Sequence, residues 1–216
     1  MLSTEVREVS GEEERQAMFR LRYDTYCTQL GWINPELCPN GQESDEYDPV
    51  SLHFIALEEG RVAGTIRLIR QSSLPFPLET AFPKPQAEDL EVVSMEGVVA
   101  GEVSRLIVSP RNGSPSHALC LGLIQALFRK SLHESVTHWL QAIDTKSHRV
   151  VRSLGFRLRQ YAPALHFMGS DSLPTTLKLS RCLDDFRQHN PRTFEFFSQD
   201  VDPREIVSMA ASVVGS

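Results

Sequence analysis

Apolar residues recur along this chain in two rhythms. A period near two predicts strands at residues 4–9, 51–57, 62–70, 101–109, 136–143, 156–159 and 175–179. A period near 3.6 predicts helices at residues 10–30, 117–132, 144–154 and 182–188. Local chemistry supports several boundaries. Ser10 and Glu13 have capping-box spacing, and Glu12, Glu13 and Glu14 load the first helix turn with acid. That helix carries Met18, Phe19, Arg22, Tyr26 and Leu30, and Gly31 fits its stop; Arg22 and Tyr26, four apart, share a face. Residues 58–61, Glu-Glu-Gly-Arg, form a hairpin turn. Asp144 can cap the third helix and Gly155 can end it, while Pro191 follows the fourth.

The intervals between these elements are irregular. Residues 33–50 contain Pro35, Pro39, Gly41 and Pro49 and read as a long loop, of the kind that often carries function. Residues 71–98 hold four prolines with Leu74, Phe76, Leu78 and Phe82 between them. They read either as a mobile lid over an acyl channel or as a surface loop with a satellite cluster. The order is strand, helix, long loop, hairpin, strand, helix, strand, helix, strand, strand. It predicts a mixed-sheet α/β (α+β) architecture, with one domain over residues 1–200 and a short tail over 201–216.

Composition narrows the class. A chain of 216 residues fits one domain, and 41% hydrophobic with 23% charged residues is ordinary for a globular protein. A net charge of −6 argues against a general nucleic-acid binder. No apolar run reaches the length of a membrane span, and the N-terminus meets acid at Glu5 without an apolar signal core. A cytoplasmic setting is the expectation. Cys27, Cys38, Cys120 and Cys182 are scattered without a Cys-x-x-Cys pair, which predicts reduced thiols, and the seven histidines show no metal spacing.

Charge intrudes on the apolar pattern at three places. These are Glu43-Ser44-Asp45-Glu46-Tyr47-Asp48, Gly64-Thr65-Ile66-Arg67-Leu68 and Glu102-Val103-Ser104-Arg105-Leu106. Arg67 and Glu102 sit inside segments that read as buried strands. A buried charge costs several kcal/mol unless it is paired or used. The carboxylates of the first and third blocks and the arginines of the second and third can pair one another.

Arg22-Tyr23-Asp24-Thr25-Tyr26-Cys27, Gly31-Trp32, the acidic block, Ser51-Leu52-His53-Phe54, and the second and third blocks, in that order and spacing, resemble the acyl-homoserine-lactone synthase superfamily. Within it the chain is most similar to the N-acyl amino acid synthases and the exosortase-associated (PEP-CTERM) acyltransferases. The resemblance covers roughly residues 5–195. It implies a GNAT-type acyltransferase fold, with a central mixed, mostly antiparallel sheet flanked by helices. It also implies transfer of a fatty acyl group from acyl carrier protein to an amine, with no bound cofactor. The implied buried charge cluster comprises Arg22, Asp45, Asp48, Arg67, Glu102 and Arg105, with Tyr26 and Trp32 as apolar walls.

Amide formation from a thioester needs a deprotonated amine, a polarised carbonyl and a shared orientation. Glu102, Ser104 and Arg105 are the candidate catalytic residues. Glu102 reads either as the base, its pKa raised by burial, or as an arginine's ion-pair partner. Arg67 and Arg105 read either as forks for an amino-acid carboxylate or as charges neutralised internally by Asp45 and Asp48. In a regular strand Glu102 and Arg105 face opposite sides, and the resemblance implies a bulge that re-aims one of them.

Two further features bear on the acyl donor. Residues 110–116, Pro-Arg-Asn-Gly-Ser-Pro-Ser, keep one glycine and carry two prolines where coenzyme-A-using relatives of this fold cradle pyrophosphate. That departure favours acyl carrier protein over acyl coenzyme A. Lys146, Arg149, Arg152, Arg157 and Arg159 make the most basic stretch of an acidic chain. It reads as a docking face for an acidic carrier protein, or as a solvated helix face. An acyl-homoserine-lactone synthase using S-adenosylmethionine, and an inactive GNAT-like binding or regulatory module, are the competing readings.

Overall fold

The computed structural model describes residues 3–111, 114–199 and 201. Its strands are β1 (Thr4–Glu8), β2 (Ser51–Glu58), β3 (Arg61–Arg70), β4 (Ala100–Val108), β5 (Pro110–Arg111), β6 (Ser114–Pro115), β7 (His138–Asp144), β8 (Arg159–Gln160), β9 (Leu165–Phe167) and β10 (Ser170–Lys178). Its α-helices are α1 (Gly11–Tyr23), α2 (His117–His133), α3 (Thr145–Ser153), α4 (Leu179–His189) and α5 (Pro191–Ser198). Eight strands join one open sheet in the order β1-β2-β3-β4-β7-β10-β8, with β9 pairing β10; β5 and β6 pair separately. The β4–β7 pairing is parallel, with partners from Ala100↔His138 to Glu102↔Leu140. The β1–β2, β2–β3, β7–β10 and β8–β10 pairings are antiparallel. The element order predicts a mixed sheet, and its mostly antiparallel form with flanking helices is the one that the resemblance implies.

The chain divides into two compact units. The first comprises residues 1–70, 103–127 and 168–170. Met18, Ile55, Ile66, Leu68 and Leu123 fill its core, each worth roughly 1.5–3 kcal/mol by burial. Glu59 and Gly60, both at positive φ, turn β2 into β3 as the hairpin signal predicts. Gly64 is needed there for space: a Cβ on it would lie 2.9 Å from the Ile107 carbonyl oxygen and 3.1 Å from Leu123 Cδ1. Helix α1 opens differently from the expected capping box. Glu14, held by Arg7, accepts the Ser10 amide N–H at 2.8 Å, so it takes the place expected for Glu13. The predicted helical run to Leu30 is present nearly to its end, but residues Asp24–Gln29 form a π-helical turn.

The second unit comprises residues 71–102, 128–167 and 171–216. Edge-to-face rings dominate its core, with Phe128–Trp139 centroids at 5.8 Å, Phe156–Phe186 at 5.0 Å and Phe156–Phe197 at 5.4 Å. Asp144 caps α3 by accepting the amides of Lys146 and Ser147, as expected. Two elements escape the sequence pattern. β9 is three residues long, and polar Ser170, Asp171 and Ser172 hide the start of β10. Pro191 opens α5 at its first turn, beyond the boundary it sets for α4.

Residues 71–99 belong to this unit and contribute a cluster of buried apolar side chains to it. Phe76, Leu78, Phe82 and Leu90 are buried. The Leu90 carbonyl accepts from His138 Nε2 at 2.8 Å, the Asp89 carbonyl from Thr176 Oγ1 at 2.7 Å, and the Glu91 carbonyl from Lys178 Nζ at 3.1 Å. The tail expected from residue 201 lies, past Val201, outside the described residues. No helix among the described residues is long and apolar enough to cross a membrane.

Candidate active site

Strand alternation turns Thr65 and Arg67 of β3 inward, and the β2–β3 register sets His53 opposite Arg67. The fully buried Arg67 guanidinium makes three side-chain bonds. Nε donates to Ser104 Oγ at 3.0 Å, and Nη1 donates to Asp45 Oδ1 at 2.6 Å and to Asp48 Oδ1 at 2.8 Å. Arg22 reaches the same carboxylates from α1. Its Nη1 and Nη2 donate to the two Asp48 oxygens at 2.8 and 3.3 Å, and its Nε donates to Glu43. Arg105 comes from β4. Its Nε and Nη2 grip Glu43 at 3.2 and 2.8 Å, and Nη2 also reaches Asp45 Oδ2 at 3.1 Å.

Three arginines thus meet three carboxylates in the first unit, and the charges balance. Of the expected cluster, Arg22, Asp45, Asp48, Arg67 and Arg105 are brought together, with Ser104 bonded to Arg67. Arg67 and Arg105 are neutralised internally, one of the two readings open from sequence. The acid that completes the balance is Glu43, which sequence reasoning passed over. In the loop Glu43 and Asp48 are buried and Asp45 half-buried, while Ser44 and Glu46 are exposed, a pattern that only the folded loop reveals.

The pairing governs the carboxyl groups. Burial alone would raise the Glu43 pKa, but the Arg105 and Arg22 charges and their hydrogen bonds outweigh it and hold it at about 2, against an ordinary 4.5. Asp45 and Asp48 are likewise lowered, against the effect of burial, by Arg67 and Arg22 in particular. Burial dominates at His53 and lowers its pKa, so the ring is neutral near pH 7; its Nε2 donates to the Asp48 carbonyl at 3.1 Å. A carboxyl whose pKa is depressed in the fold stabilises above its unfolded value. That stability is lost as pH falls through the folded value. For Glu43 the window runs from about 4.5 down to about 2, and the contribution is roughly 3 kcal/mol. Thermal melts should therefore fall steeply below pH 4.5, and Glu43→Gln should flatten that fall. A wild-type melting temperature that is level from pH 5 to pH 3 would sink the assignment.

Tyr26 and Trp32, the expected apolar walls, lie together beside Arg105. The Arg105 guanidinium lies over the Tyr26 ring, 5.3 Å from its centroid, and Trp32 stacks on Tyr26 at 5.8 Å. The π turn that carries Tyr26 is a common device at functional sites. Trp32 is also pressed by the Met168-Gly169 turn. A Cβ on Gly169, at φ +83, would lie 2.5 Å from Trp32 Cβ. Arg105 itself has φ 55 in mid-strand. This left-handed residue is an irregularity within β4.

Glu102 belongs to the second unit, where it is buried. Its Oε2 accepts the Leu78 amide N–H at 3.0 Å. Tyr161 of the same unit, not singled out by any sequence pattern, is under its influence. Burial, then the charges of Glu102, Glu79 and Asp89, raise the Tyr161 pKa well above normal, so its phenol stays protonated. The Tyr161 hydroxyl is buried and has no hydrogen-bond partner among the described residues.

The basic stretch separates into two groups. Arg157 pairs with Asp185 at 3.7 Å, and Arg159 lies 3.6 Å from Glu88 and 3.9 Å from Glu91. Lys146, Arg149 and Arg152 are exposed on α3 with no ion pair among the described residues. β5 and β6 pair through Pro110↔Pro115 and Arg111↔Ser114, ahead of α2.

Residues 17–163 match the model of the family N-acyl amino acid synthase FeeM. The chain belongs to this family. Its activity is accordingly N-acyl amino acid synthesis, and it is an N-acyltransferase. The solved structure of FeeM, an N-acyl amino acid synthase from uncultured soil microbes, is similar at 18% identity and TM-score 0.65, over 87% of this chain and 97% of that one. BjaI, a coenzyme-A-dependent acyl-homoserine lactone synthase solved with S-adenosylmethionine and isopentyl-CoA, is similar at 20% identity and TM-score 0.66, over 92% and 90%. The acyl-homoserine lactone synthase LasI is similar at 19% identity and TM-score 0.63, over 83% and 90%. At these identities the likeness shows the fold, which is the GNAT-type fold expected. No curated protein matches the sequence.

Proposed function

We propose that this FeeM-family chain takes a fatty acyl group from the phosphopantetheine thioester of acyl carrier protein and transfers it to the amino group of an amino acid. The family match over residues 17–163 carries the reaction class. The β5–β6 segment supports the donor. Its prolines lack amide donors, and its two strands pair with each other where a pyrophosphate cradle needs free backbone N–H groups. The exposed cations Lys146, Arg149 and Arg152 support docking of an acidic carrier, and Arg157 and Arg159 add to that face despite their acidic neighbours. Such a donor sets the enzyme in the cytoplasm. The resemblance to exosortase-associated (PEP-CTERM) acyltransferases supports a protein-sorting system as its biological setting.

In this mechanism Glu102 accepts a proton from the acceptor's ammonium. The free amine attacks the thioester carbonyl, and as the tetrahedral intermediate collapses the nitrogen's surplus proton passes to the leaving pantetheine sulfur, which departs as the thiol. The Tyr161 phenol, which stays protonated, supplies a hydrogen bond to the carbonyl oxygen as charge develops there, a role that its unpartnered, buried hydroxyl supports. The charge-balanced cluster of the first unit, which holds Arg105 and Ser104 in place, supports these residues and the Tyr26–Trp32 wall as the acceptor's surroundings.

The test supplies the purified enzyme with an amino-acid mixture and either acyl carrier protein or coenzyme A bearing the same acyl chain, with products read by mass spectrometry. An N-acyl amino acid, formed far faster from the carrier protein, is expected. Equal turnover of the two donors would overturn the donor assignment. A lactone formed from S-adenosylmethionine, or no product at all, would overturn the reaction. Within the same assay, Arg149→Glu with Arg152→Glu should raise KM for the carrier protein and blunt its salt dependence, leaving a small pantetheine thioester unaffected.

A further inference from the structure

Cys27 and Cys38 are eleven positions apart in sequence, yet their sulfurs lie 3.6 Å apart, both buried and both free. Cys27 sits on the π turn of residues Asp24–Gln29, and Cys38 joins two single 3₁₀ turns, Pro35–Leu37 and Pro39–Gly41. Neither is locked into a regular helix or strand. A disulfide needs sulfurs at about 2.05 Å, so closure asks for a shift of about 1.5 Å. Irregular turns absorb that more readily than a continuous hydrogen-bonded ladder does.

The placement gives closure a consequence. Tyr26, beneath Arg105, immediately precedes Cys27, and Trp32, stacked on Tyr26, lies between the two cysteines. Five residues after Cys38 comes Glu43, which joins Arg22 to Arg105. The dithiol therefore brackets one wall of the cluster and adjoins its third acid.

We propose that Cys27 and Cys38 form a reversible redox pair, closing to an intramolecular disulfide at the expense of a small-molecule disulfide and lowering the enzyme's efficiency toward its amine acceptor. In the first step one cysteine thiolate attacks the oxidant's S–S bond, forming a mixed disulfide and releasing one thiol. The second cysteine thiolate then attacks the protein sulfur of that mixed disulfide and releases the other thiol. The two cysteines lose two electrons and two protons, and the oxidant's sulfurs gain them. Burial, together with the neighbouring Cys38 thiol, raises the Cys27 pKa to about 11, so the exchange is slow at neutral pH and speeds up in base. The effect on the acceptor rests on the reading that the amine binds beside the Tyr26–Trp32 wall. A misplacement of about 1 Å can cost up to about 10² in rate.

The test incubates the whole protein with oxidised glutathione at mildly alkaline pH and maps peptides under non-reducing conditions. A Cys27–Cys38 crosslink, mass reduced by two hydrogens and reversed by a thiol reductant, is expected. Cys120 and Cys182 should stay reduced. The crosslinked enzyme should lose roughly 10-fold or more in kcat/KM for the amino acid, with KM for the acyl donor unchanged, and Cys38→Ser should be insensitive to the oxidant. Failure to crosslink, reaction at Cys120 or Cys182 instead, or a crosslink without change in acceptor kinetics would each overturn the proposal. If the reduced enzyme makes no N-acyl amino acid, the functional reading fails separately, and the crosslink remains testable by mass.

Discussion

Glu43→Ala should cost about 3–5 kcal/mol of stability, as expected when one partner is removed from a buried ion-pair network. Wild type places three arginines against Glu43, Asp45 and Asp48. Without Glu43 the cluster carries one uncompensated positive charge. Arg22 keeps Asp48 and Arg105 keeps Asp45, but the carboxylate that both guanidiniums share is gone. Arg105 would also lose the two bonds that help hold it at φ 55, a conformation that persists only where its surroundings over-determine it. For a chain of this size each kcal/mol moves the melting temperature by about 2–4 °C. A fall of roughly 6–20 °C is therefore expected. Glu46→Ala, three residues along the same loop but exposed, should stay within about 0.5 kcal/mol of wild type. Equal effects of the two substitutions would mean that the acidic loop works by its total charge rather than by a built network.

The arginines of this network were legible because guanidinium inside an apolar strand demands a partner. Arg67 is the clear case, since its flanks predict burial and the fold delivers it. The identity of the partners was less legible. Charge balance calls for three acids, and Asp45, Asp48 and Glu102 satisfy the count as well as Asp45, Asp48 and Glu43 do. What decides between them is the path of an irregular loop, for which sequence periodicity has no rule. Tyr161 was invisible for a related reason. An unpartnered hydroxyl is a property of three-dimensional surroundings, and a tyrosine between Gln160 and Ala162 carries no pattern of its own.

The fold divides in the same way. Elements marked by a repeat and a cap were legible, among them the β2–β3 hairpin with its Glu59-Gly60 turn and the Asp144-capped α3. Elements shaped by long-range contact were not. The three-residue β9 is too short to show alternation, and it exists because β10 offers it an edge. The π turn at Asp24–Gln29 has the composition of ordinary helix. It alters the expected relation of Arg22 to Tyr26, and Arg105 stacks over the displaced ring. The nearness of Cys27 to Cys38 follows from that same turn and was equally hidden.

If Glu102 is the base of the proposed mechanism, Glu102→Gln should lower kcat by at least about 10² with the fold intact, because it removes the proton acceptor while keeping the shape. The glutamine carbonyl can still accept the Leu78 amide that Glu102 Oε2 accepts at 3.0 Å, so the local backbone anchor survives. The melting temperature should therefore stay within a few degrees of wild type, and the loss should appear in kcat more than in either substrate's KM. Tyr161→Phe gives a companion test, since it removes a buried hydroxyl and breaks no hydrogen bond among the described residues. A loss of turnover there without loss of stability supports the phenol as hydrogen-bond donor. A Glu102→Gln enzyme that melts normally and turns over within about threefold of wild type would remove Glu102 as the base, since that role is worth 10² or more. One that melts far lower would assign Glu102 to holding residues 71–99 against β4 rather than to the chemistry.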